Sequence, residues 1–241
     1  MGKSRSYALF IVEGSTDELA LGRILSNLVG MKSGNESKFI VMSGDILTES
    51  RLSTVPRGEI APKNARDKVR AKVLSFISSQ RINWTDLAQI VYITDTDGVF
   101  IPDDSVVLDE SLNRLEYGAS EIRCSNPEAI CARNHQKASA LKALSRVNVL
   151  KYNRRAIPFS VYYFSRNLEH ALHDRTEEQS TDQKVQLARA FSRTFANDIP
   201  GFLGLLADIC PEGAITKLGS ILHRAPILWS VVRTCFLQCS F

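Results

Sequence analysis

Four short, unbroken apolar runs govern what this chain can fold into: "YALFIV" (7–12), "KFIVM" (38–42), "QIVYIT" (89–94) and "PFSVYYF" (158–164). Continuous rather than alternating hydrophobicity marks strands covered on both faces. Helical patterns separate them. Ser15 and Glu18 have capping-box spacing, and Leu21, Ile24, Leu25 and Leu28 then recur at helical intervals, with Gly30 as the expected stop. A second helix is expected near 64–79, with Val69, Val73, Phe76 and Ile77 on one face, and a short basic helix over 134–146. The stretches 43–64 and 98–130 read as loops, and the chain beyond about 168 reads as helical. Strand, helix, strand, helix, strand is the grammar of a mostly parallel sheet with right-handed crossovers. The expected architecture is α/β: a core domain over 1–175 with flanking helices, and a helical extension over 176–241.

A chain of 241 residues can bury such a core, and its 44% hydrophobic and 23% charged residues exclude wholesale disorder. The net charge of +4 says little, but its distribution says more. Residues 57–81 carry seven Lys/Arg against Glu59 and Asp67, and residues 133–155 carry seven Lys/Arg and no acid. Between them, 95–128 carries nine acids against Arg114 and Arg123. An acidic centre between basic flanks fits a metal site beside a polyanion. Five cysteines without a C-x-x-C pair fit a reducing compartment, and Cys124, Cys131 and His135 match no zinc spacing. No signal peptide or membrane span is expected, because the longest apolar candidate, at the C-terminus, is interrupted by Arg233. A soluble, cytoplasmic protein with no membrane partner is the expectation.

Polar residues gather at the strand ends. Glu13-Gly14 follows the first run, Asp95-Thr96-Asp97-Gly98 the third, and Ser165 to Glu169 the fourth. Ligands of open parallel sheets collect outside the carboxyl ends of the strands. Asp17 lies four residues after Glu13, in the first turn of the capped helix, and can face the same crevice. Four carboxylates on adjacent strand ends call for hard divalent cations, Mg²⁺ or Mn²⁺. Asp45, Asp103-Asp104, His135 and His173 read instead as turn or surface residues.

"FIVEGSTDE" together with "VYITDTDGVF" resembles the Toprim domain of topoisomerases, bacterial primases and OLD-family nucleases. The E-x-x-x-D spacing of Glu13 and Asp17 is closer to the OLD-type branch. The resemblance spans about residues 7–170 and implies a nuclease that cleaves DNA or RNA with two Mg²⁺ or Mn²⁺ ions. Glu13 would serve in acid/base chemistry or hold metal; Asp17, Asp95 and Asp97 would be metal ligands, and Glu169 in "FSRNLEHAL" would complete the set. A lysine, Lys184 by order with Lys137 behind it, would neutralise the transition state. No P-loop pattern is present, so an ATPase partner of ABC/SMC type, as in phage-defence pairs, would be a separate chain. Oligomerisation is compatible with this family. Lys68, Arg70 and Lys72 are the expected contacts to the substrate backbone.

Two rivals stand beside this reading. "DTDGV" also resembles the first motif of haloacid dehalogenase-type phosphatases, with Asp95 as nucleophile and Asp97 as general acid. That motif normally lies on the first strand, whereas here a strand carrying Glu13 precedes it. The second rival is a Toprim fold that binds nucleic acid or a partner without cutting. The retained carboxylates, which repel phosphate, argue against it.

Overall fold

In chain order the elements are β1 (Ser6–Val12), α1 (Ser15–Ser33), β2 (Ser37–Ser43), α2 (Pro62–Ser79), β3 (Leu87–Asp95), β4 (Val106–Leu108), β5 (Glu116–Tyr117), β6 (Ile122–Cys124), α3 (Pro127–Ser145), β7 (Val149–Tyr152), β8 (Arg155–Phe164), α4 (Thr181–Phe195) and α5 (Ile199–Ile209). The computed structural model describes residues 6–33, 37–43, 46–47, 62–113, 115–118, 120–164 and 180–209. Asp45, Ser165 to His170, His173, the expected boundary near 175 and the chain after 209 lie outside them.

The main sheet has the order β2-β1-β3-β8-β7. β1 pairs in parallel with β2 and β3, and β3 with β8; β7 joins the edge as an antiparallel hairpin partner of β8. The fold is therefore α/β with a mixed, mostly parallel sheet and five described helices. Strand order reverses between β1 and β3, because the chain leaves β1 for β2 on one side and returns to β3 on the other. A crevice for ligands opens at such a point.

Both faces are covered, which is why the strands read as unbroken apolar runs. Ala8, Phe10, Val12, Val91, Ile93 and Tyr162 pack with α1, α4 and α5. Leu9, Ile11, Ile90, Tyr92, Phe159 and Val161 pack with α2 and α3 on the other face. Phe191, Ile199 and Phe202, beyond residue 176, are buried in the same cluster as the β1 residues, and Leu205 packs against it.

Some expectations need correction. α1 continues through Gly30 to Ser33. α3 begins at Pro127, not 134, because Asn126 caps it by accepting the Ala129 N–H at 3.0 Å and proline tolerates the first helical position. The loop expected over 98–130 holds a small sheet, β4-β6-β5. β7 adds a strand that the sequence reading lacked.

Candidate functional site

Glu13 follows the last residue of β1, and Asp95 ends β3. Alternation along each strand sends these two side chains in opposite directions. Asp95 shares parity with Val91 and Ile93 on the α1 face; Glu13 shares it with Leu9 and Ile11 on the α2–α3 face. The carboxylates thus straddle the sheet edge instead of forming one ring.

On the α1 side, the buried carboxylate of Asp17 accepts the Gly14 N–H at 2.9 Å. A Cβ on residue 14 would lie 3.5 Å from that carboxylate, an ordinary van der Waals contact, so this hydrogen bond does not itself require glycine. Burial holds the Asp95 carboxyl well above the usual carboxylate range, and the charges of Asp17, Glu13 and Asp97 push it further. Lys137 opposes the shift without cancelling it.

On the α3 side the Thr94 hydroxyl donates to Glu13. Lys137 Nζ lies 3.4 Å from Glu13 Oε1 and 2.7 Å from Asp97 Oδ2, and its side chain is only 3% exposed. Burial alone would lower the Lys137 pKa, but the Glu13 and Asp97 carboxylates outweigh it and hold the ammonium charged. Asp97 reaches this position through a tight turn. The Val99 N–H donates to the Thr96 carbonyl at 3.0 Å, and Asp97 and Gly98 both have positive φ, 49° and 70°. Asp-Gly suits that type I′ geometry. The small sheet braces the turn, since a Cβ on residue 98 would meet Ile122 Cδ1 at 3.0 Å. Arg133 fixes it from α3 by donating to the Asp97 carbonyl at 3.3 Å and to Asn134 Oδ1 at 2.7 Å.

The structure brings together Glu13, Asp17, Asp95, Asp97 and Lys137. Lys184 is on the first turn of α4, which covers the α1 face. Glu169 lies outside the described residues. Lys68, Arg70 and Lys72 lie along α2, where Arg70 pairs with Asp67 at 3.2 Å. His135 and Asp103 are exposed and pair at 2.9 Å. Thr94 and Arg133 went unnoticed in the sequence. Thr94 stands next to Asp95 with the opposite strand parity, which was the available signal.

Hard carboxylate oxygens, more numerous than the one buried ammonium among them, suit a divalent cation in donor type and charge. Among the described residues no three His, Cys, Asp or Glu side chains already converge as a metal cage, in keeping with carboxylates divided across a sheet edge. Comparison with family models, curated proteins and solved structures found no match.

Proposed function

We propose that this chain is a Toprim-like, divalent-metal-dependent phosphodiesterase of the OLD type, acting on nucleic acid. The observation that supports it most is the buried Lys137 ammonium set between Glu13 and Asp97 at the reversal point of the strand order, beside the charge-strained Asp95.

Asp95 and Asp17 would hold Mg²⁺ or Mn²⁺ on the α1 side, with Glu13 and Asp97 within electrostatic reach. Bound there, the cation would polarise the phosphodiester and lower the pKa of a coordinated water. Lys137 Nζ would neutralise the charge that develops on a non-bridging phosphate oxygen. It takes this role from Lys184 because it already bridges the two carboxylates. The Thr94 hydroxyl keeps Glu13 oriented, and Arg133 keeps the Asp97 turn aimed at the lysine.

Incubating the protein with tRNA, single-stranded DNA and duplex DNA, each with Mg²⁺, Mn²⁺ or EDTA, tests the reading. Cleavage of at least one substrate in a metal arm and none in EDTA is expected. Hydrolysis of p-nitrophenyl phosphate with beryllofluoride trapped on Asp95, and no nucleic acid cut, would favour the phosphatase instead.

A further inference from the structure

The seven cations of residues 133–155 do not form one surface. Lys137 is in the carboxylate site, Arg133 holds the Asp97 turn, and Lys142 lies over the Phe100 ring. Arg146, Lys151, Arg154 and Arg155 instead lie at the opposite end of the strands, around the β7–β8 hairpin, where Arg155 shares the α2–α3 face with Leu150 and Tyr152 while Lys151 projects from the other face. Arg81 joins them at the end of α2. All five side chains are exposed. The two connections lock together: the Trp84 ring packs on Tyr152 at 5.8 Å, and its indole N–H donates to the Arg155 carbonyl at 3.2 Å. Asp86, the acid on these connections, is turned onto Asn83, whose N–H it accepts at 3.0 Å.

The backbone gives an independent sign of use. Arg81, Asn153 and Arg154 all have positive φ, 56°, 44° and 65°. Position 154 is the second central residue of a two-residue hairpin, and position 81 lies just past a helix end; glycine is favoured at both. Arginine there is an unfavourable backbone choice, so its side chain is the feature to explain.

We propose that this edge is a second contact for nucleic acid, gripping the phosphate backbone with Arg81, Arg146, Arg154 and Arg155. Guanidinium forks match phosphate oxygens, and a group of exposed cations suits a polyanion. Asp95 is in register with Phe164, nine residues along β8 from Arg155, so the edge lies about 30 Å from the carboxylates at roughly 3.3 Å per residue. Such a separation requires a polymer of about nine base pairs or more, not a small phosphate ester. The inference rests on the proposed nuclease reading only for the identity of the polyanion.

The test is the double variant Arg81→Gly/Arg154→Gly, with Arg155→Gln as a second variant at an ordinary backbone position. Fluorescence anisotropy in EDTA would follow binding of labelled duplex DNA and tRNA across a salt series, and phosphatidylserine/phosphatidylcholine vesicles would form a separate arm. The glycine variant should bind nucleic acid more weakly, with a log K versus log salt slope shallower by roughly 0.9 per lost duplex contact. It should also melt at a higher temperature, which a merely misfolded protein would not. Unchanged affinity and slope in both variants, no nucleic-acid binding by wild type, or loss confined to the vesicle arm would each overturn the proposal. Wild type that cuts with metal while the variants bind normally leaves the nuclease reading standing; variants that bind weakly while wild type never cuts leave this edge standing alone.

Discussion

Asp95 concentrates the electrostatic tension of the site. Its folded-state pKa is raised by burial first and then by Asp17, Glu13 and Asp97. A raised value means the folded protein holds this proton more tightly than the unfolded chain, so stability is present below the ordinary value of 3.8 and is lost as pH rises through the folded-state value. Asp95→Asn removes the charge that must be buried. In EDTA the variant should therefore melt above wild type at pH 7.5, and the gap should close as pH falls towards 4. Each kcal/mol gained corresponds to about 2–4 °C in a chain of this size, which differential scanning calorimetry resolves. A gap that widens on acidification would mean that Asp95 is stabilised as a carboxylate.

Among the elements, α3 and the Asp97–Gly98 turn do most to shape the site. Gly98 combines a φ of 70° with little room for a side chain, since an added Cβ would lie 3.0 Å from Ile122 Cδ1 and 3.2 Å from Ile101 Cδ1, so Gly98→Ala should destabilise by about 1–3 kcal/mol and shift the urea midpoint downward. An unchanged midpoint would mean the small sheet does not brace the turn. Much of α3 could be read in advance. Asn126-Pro127-Glu128 is a helix start by its residue types, and counting back from the buried Leu144 and Leu141 by helical steps reaches Lys137 and Asn134. The run of positive charges obscured that stripe, because a basic helix is normally a solvated face. β7 was harder: it has four residues with one buried, and Asn153–Arg154 lacks the glycine that signals a hairpin. The strands β4, β5 and β6, two or three residues each, are too short to carry a period.

Across the molecule, four strands were legible because helices cover both faces, and the carboxylates because they sit where β1 and β3 end. Their division across the sheet edge was not, since it depends on strand parity at the last residue. Nor was the docking of α4 and α5 onto the α1 face, which is a tertiary choice that amphipathic helices leave open. Phe202 is 1% exposed and packs edge-on to Phe191 at 6.2 Å, so Phe202→Ala should lose about 3–5 kcal/mol in denaturant unfolding; a near-neutral result would detach these helices from the core. The proposed activity requires the carboxylates and Lys137 to act together on a phosphodiester. Its most direct test measures nucleic-acid cleavage with Mn²⁺ by wild type, Glu13→Gln, Asp95→Asn and Lys137→Met, with calorimetric Mn²⁺ binding and circular dichroism on each. Folded variants should all lose cleavage, by roughly 10²-fold or more, with Asp95→Asn also losing Mn²⁺ affinity and Lys137→Met retaining it. A folded Asp95→Asn protein that binds Mn²⁺ and cuts like wild type would contradict the account.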